Sequence, residues 1–200
     1  GVQVLLEAVP AILGRFPQTK VIIAGTGPYE EYLKGRAREL GLEGKVFFCG
    51  YIDDQTRNEL YSLASVAVFP SLYEPFGIVA LEAMITGTPV VVSSVGGLDE
   101  IVEHQVDGLK AYPGDSRSLA EHVCQLLENE ERAASLVEKA YQKAKTFSWD
   151  EIARKTAEVY REIVLSPENR RWQQEAARER MQEAITVQKA EDAPQIPYLI

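Results

Sequence analysis

Short apolar runs rich in β-branched residues recur along the first 115 positions, each followed by a turn and then by a stretch of helical periodicity. The runs are Lys20 to Ala24, which reads as a buried strand, Lys45 to Phe48, Val66 to Phe69, Val90 to Val92 and Leu109 to Ala111. That alternation implies an α/β fold: a doubly wound parallel sheet, helices on both faces, right-handed crossovers. Sheets of this kind bind ligands outside the carboxyl ends of their strands. Gly25, Gly50, Glu74 and Gly96 all follow apparent strand ends, so one edge of such a sheet would gather them.

The densest part of the pattern is Phe69 to Val95. Pro70 ends a strand, Ser71 to Pro75 reads as a loop, and Gly77 to Ile85 as a helix stopped by Gly87 and Pro89. The run Val90 to Val92 then suits a strand buried on both faces. Two carboxylates interrupt this apolar stretch. Glu74 lies in the loop, where it can accept sugar hydroxyl protons. Glu82 lies about two turns into the helix, within reach of a ribose. The helix start offers backbone N–H groups at Gly77, Ile78 and Val79 and the positive end of the helix dipole, which suit a phosphate. An acidic residue beside a helix start also serves as plain dipole compensation. Glu82 is flanked by Leu81, Ala83 and Met84, and a carboxylate buried there without a partner would be costly. Together these features suit a sugar joined to a nucleotide through phosphates.

The segment E-P-F-G-I-V-A-L-E-A-M-I-T-G-T-P-V-V closely resembles the donor-site signature of retaining glycosyltransferases of family 4, which include glycogen-synthase-like, sucrose-synthase-like and lipopolysaccharide-type enzymes. The resemblance runs without unusual spacing from Gly1 to about Val164. It implies the C-terminal, donor-binding half of a GT-B fold, in which two doubly wound domains flank the active site. It implies a nucleotide-diphosphate sugar as substrate, with transfer of a hexosyl group, glucose by the glycogen-synthase-like appearance. Neither a cofactor nor a metal is expected. Glu74 would orient the sugar as the catalytic carboxylate, and Phe76, Gly77, Ile78, Val79 and Glu82 would hold the donor. Gly25 and Gly27 would lie at the cleft rim, Ile52 would pack on the base with Asp54 and Arg57 near its edge, and Gly96 and Gly97 would face the sugar. In that family a strand precedes the first helix and ends in a loop whose Arg and Lys clamp the donor phosphates. Here the chain opens directly in a helix, so the acceptor side is expected from an N-terminal domain outside these 200 residues, and the isolated fragment is expected to be inactive.

The rest of the chain agrees with that reading. A net charge of −9 argues against a nucleic-acid partner. No apolar run is long enough to span a bilayer and no leader pattern opens the chain, so the expected location is the cytoplasm. Cys49 and Cys124 are far apart in apolar surroundings and read as buried, reduced thiols. His104 and His122 are isolated, and there is no P-loop, nucleophile elbow or metal-spaced cluster. Asp53 or Asp54 can cap the helix that follows it, and Ser148, with Glu151 three residues on, forms a capping box. Residues 1–165 are read as the nucleotide-sugar-binding domain and 166–200 as a tail. That tail is a charged helix with a thin stripe of Trp172, Ala176, Met181 and Ile185, then an extended piece from Ala190 containing Pro194 and Pro197. Two other readings stay open: a non-catalytic receiver-like or flavodoxin-like module, and an epimerase or phosphorylase of the same architecture. The Glu74–Glu82 segment speaks against the second pair. Strand Lys20 to Ala24 ends in glycine rather than the acidic residue a receiver needs.

Overall fold

A computed structural model of the chain describes residues 1–191. Gly1–Phe147 forms one compact unit, and the chain from Ser148 onward forms another.

The first unit runs α1 (Val2–Arg15), β1 (Val21–Ala24), α2 (Glu30–Glu39), β2 (Val46–Gly50), α3 (Asp54–Leu63), β3 (Ala67–Phe69), α4 (Ile78–Ile85), β4 (Val90–Ser93), α5 (Gly96–Ile101), β5 (Leu109–Ala111), α6 (Ser116–Glu128) and α7 (Glu130–Ala144). Every strand pairing is parallel. Strand β4 is the centre. Its four residues are all buried, and its side chains divide between two cores as the two-residue period requires. Val91 joins Leu109 and Ala111 in a core with α1 and α6, including Leu6, Val9, Ile12, Leu119 and Val123. Val90 and Val92 join Ala80, Ala83 and Met84 of α4, Leu98 and Ile101 of α5, and Ala140 and Ala144 of α7. The helices therefore cover both faces of β4. Local chemistry sets several boundaries: Asp53 caps α3 by accepting the Thr56 N–H at 2.8 Å, and Asp115 caps α6 through Arg117 and Ser118.

Three expectations need correction. The strands form two hydrogen-bonded ladders, β1-β2 and β3-β4-β5, rather than one continuous sheet. Among the described residues no ladder joins β1-β2 to β3-β4-β5, so the four strand-end residues divide between two ladders. The Lys20 to Ala24 strand is half-buried: Val21 and Ile23 face the core, while Ile22 is 51% exposed. Cys49 is exposed, because β2 alternates in the same way and Cys49 shares the outer face with Phe47; only Cys124 is buried.

In the second unit Ser148 accepts the Glu151 N–H at 3.2 Å and starts α8 (Trp149–Leu165). Arg154 bridges Glu151 and Glu158, and holds the Glu151 carboxyl down at about 2. Ser166 then breaks the helix, and Pro167 occupies the first position of α9 (Pro167–Glu191), where its missing N–H costs nothing. Trp172 and Met181 are largely exposed; the Ile185 side chain lies outside the described set. The helix continues through Ala190 to Glu191, past the point where an extended segment is expected, and residues 192–200 lie outside the described residues. No described helix is long and apolar enough to cross a membrane.

Candidate functional site

The loop between β3 and α4 is built around Gly77. This residue takes the left-handed conformation (φ +78°) as the N-cap of α4, and a Cβ there would sit 2.9 Å from the Leu98 side chain. The turn brings the Glu74 carboxylate onto the helix start, where Oε1 accepts the Gly77 N–H at 3.2 Å and Oε2 accepts from Ser71 Oγ at 3.4 Å. The first turn of α4 contains no acidic residue, so Glu74 supplies negative charge from outside the helix. The N–H groups of Ile78 and Val79 have no acceptor within the helix, as at any helix start. Phe76, Ile78 and Val79 present an exposed apolar rim beside these donors.

Helix α5 holds this loop by its backbone. Gly97 donates its N–H to the Glu74 carbonyl at 3.0 Å. A Cβ on Gly96 would come 2.0 Å from that same oxygen, and one on Gly97 would come 2.2 Å from the Phe76 carbonyl oxygen. Both glycines stand in the first turn of α5. The structure thus brings together Glu74, Phe76, Gly77, Gly96 and Gly97.

A second group lies along α3 and α4. Arg57 reaches Asp54 at 3.0 Å and Glu82 at 3.3 Å. Glu82 therefore has a cationic partner, and its side chain is half-buried beside the fully buried Ala83 and Met84. Its charge also reaches Tyr61, whose phenol is raised above its usual range mainly by burial and further by Glu82. The Arg57 Nε is buried without a hydrogen-bond partner among the described residues.

The remaining sequence candidates are not drawn into either group. Gly25, in a positive-φ conformation (φ +118°), donates its N–H to the Gly50 carbonyl at 2.7 Å and ties the ends of β1 and β2 together. Gly27 is exposed with open space around its Cα, and Ile52 is half-buried with no polar role. His104 and His122 are not isolated: their rings lie 5.2 Å apart, and burial together with His122 lowers the pKa of His104.

Sequence reasoning missed one set of residues. Lys110 of β5 binds both the carbonyl and the carboxylate of Asp99 in α5, at 2.7 and 2.9 Å, and the Ser94 hydroxyl donates to the same carboxylate oxygen. Lys110 and Ser94 hold the Asp99 carboxyl below its usual range. The available signal was a cation in the middle of Leu109-Lys110-Ala111, a strand too short and apolar to need one.

Strand-end loops that meet at a helix start, with helices on both faces of β4, define a doubly wound ligand-binding domain. The family pattern described as "Glycosyl transferases group 1" matches residues 1–143, and the chain belongs to that family. It is 46% identical over 165 residues to an uncharacterised glycosyltransferase of Methanocaldococcus jannaschii, covering 80% of this chain and 41% of that protein. It is 37% identical to glycogen synthase of Mycobacterium tuberculosis, covering 80% of this chain and 39% of the enzyme. Among solved structures, Anabaena HepE in complex with UDP-glucose superposes with a TM-score of 0.73 at 32% identity, covering 80% of this chain and 44% of that one. The C-terminal domain of a group 1 glycosyl transferase from Francisella tularensis shares the fold, with a TM-score of 0.67 at 24% identity, over 74% of this chain and 78% of that domain. The architecture is that of the C-terminal half of a GT-B glycosyltransferase. The chain spans about 40% of the length of the curated relatives it matches.

Proposed function

We propose that this chain is the donor-binding domain of a retaining hexosyltransferase that uses a nucleotide-diphosphate sugar, with UDP-glucose as the first donor to test. The observation that carries the reading is the Glu74–Gly77 turn, which sets one carboxylate and the N–H groups of a helix start side by side. The diphosphate takes the N–H groups at Gly77, Ile78 and Val79, where fixed dipoles stabilise the charge of the departing nucleoside diphosphate. Glu74 turns to the sugar hydroxyls, Glu82 to the ribose, and Gly96 and Gly97 line the sugar side. Ile52, Asp54 and Arg57 serve the base, and Gly25 and Gly27 the rim. The UDP-glucose complex of HepE supports the choice of donor. The acceptor, a glycan or small molecule, binds in the part of the parent protein outside this chain, so this segment alone gives no turnover. The unpaired cysteines fit a reducing compartment such as the cytoplasm.

Calorimetric titration with UDP and with UDP-glucose tests the reading. Glu74→Ala should weaken UDP-glucose about ten-fold more than UDP, as expected for one charge-assisted hydrogen bond. Equal losses for both ligands would remove Glu74 from the sugar. No binding of either ligand would favour the non-catalytic module.

A further inference from the structure

We infer that Lys110 is a positioning residue for Glu74, acting through α5, an inference that rests on the reading of Glu74 as the sugar contact. Lys110 lies between Leu109 and Ala111, which are fully buried, and its own side chain is only 20% exposed. A half-buried ammonium needs partners, and it has them in one place. Nζ donates to the Asp99 carbonyl at 2.7 Å and to the Asp99 carboxylate at 2.9 Å. The carboxylate oxygen also accepts a hydrogen bond from the Ser94 hydroxyl, which fixes the passage from β4 into α5. The Lys110 backbone N–H is held as well, by His104 Nδ1 at 2.9 Å.

This clamp matters because of what α5 is. The helix has six residues, Gly96–Ile101, too few to stand by its own hydrogen bonds. Its first two residues press backbone to backbone on the Glu74 loop, through the Gly97 N–H to the Glu74 carbonyl and through approaches so close that only glycine fits. A shift at Asp99 is therefore passed to Gly97 and from there to Glu74, with no side chain in between to absorb it. Among the described residues Lys110 makes no hydrogen bond or ion pair with Glu74 or Gly77; its effect travels by the chain Lys110, Asp99, Gly97, Glu74.

The test measures dissociation constants for UDP and UDP-glucose on the 200-residue chain, together with hydrogen exchange of the Gly97 amide without ligand. Lys110→Met should speed Gly97 exchange about ten-fold and reduce the preference for UDP-glucose over UDP by roughly three- to ten-fold, leaving the UDP constant within two-fold. Lys110→Arg should restore both readouts. Asp99→Asn keeps the ammonium on the carbonyl and should give a smaller change in the same direction, which keeps the idea testable if the methionine variant folds poorly. Unchanged exchange in Lys110→Met overturns the clamp. An equal loss of UDP and UDP-glucose overturns it too, because Lys110 would then hold phosphate directly. If Gly97 exchange quickens while Glu74→Ala leaves the sugar preference intact, the clamp stands and the sugar role of Glu74 fails.

Discussion

Two glycine pairs follow strands in this fold, and they do opposite things. Gly25 and Gly27, after β1, have nothing within 4 Å of where a side chain would begin. Gly96 and Gly97, after β4, are pressed against the carbonyls of Glu74 and Phe76. The surroundings differ in the same way: β1 leaves Ile22 half in solvent, while every residue of β4 is buried. The lesson is that similar glycine-rich turns carry different physical meanings. At Gly25 glycine serves the backbone angle, and at Gly96 and Gly97 it serves close packing.

The sharpest break of this comparison is Gly97→Ala. A methyl group 2.2 Å from a backbone oxygen forces the main chain to move, and the expected loss is about 3 kcal/mol or more, a fall of roughly 6–12 °C in Tm. Gly27→Ala, at an open position without positive φ, should leave Tm within about 1–2 °C. Thermal melts of the two variants side by side settle the contrast, and equal effects would erase it.

Core substitutions extend the comparison to the ladders. Met84→Ala empties a fully buried site against β4 and should cost about 2–5 kcal/mol, whereas Ile22→Thr on the outer face of β1 should stay near 0.5 kcal/mol by denaturant unfolding. A smaller effect follows from pH. The Asp99 carboxyl is depressed in the folded state, so its contribution is present above the unfolded carboxylate range near about 3.9 and is lost as pH falls through the lower folded value. The Tm gap between the wild type and Asp99→Asn should therefore be present at neutral pH and close in strong acid. A gap independent of pH would show that the Lys110–Asp99 pair contributes no linkage. The smallest expected effect is truncation after Leu165. It removes only members of the second unit and should leave the cooperative melt of the first in place. Loss of that transition would tie the tail to the core.

Much of this was legible in advance, because the cues were local. The valine run at β4, the glycine at the start of α4 and the caps at Asp53 and Ser148 each depend on a few neighbouring residues. The Glu74–Gly77 turn was readable for the same reason. What escaped was non-local. The partner of Glu82 comes from another helix, Arg57 on α3; the partner of Asp99 comes from another strand, Lys110 on β5. Exposure at Cys49 and Ile22 was misjudged because an apolar run of four or five residues reads alike whether one or both of its faces are covered.

Under the proposed function, the Glu74 carboxylate resting on the Gly77 N–H bears on product release. Any anion that takes this donor evicts the carboxylate, so binding there is an exchange and not a simple gain. In the proposed reaction an intact sugar donor compensates by offering hydroxyls to the displaced carboxylate, and a bare nucleoside diphosphate does not. In that proposal, once the sugar has been transferred, Glu74 would compete for the spent product's own anchor. One side chain would then both grip the substrate and hasten product release.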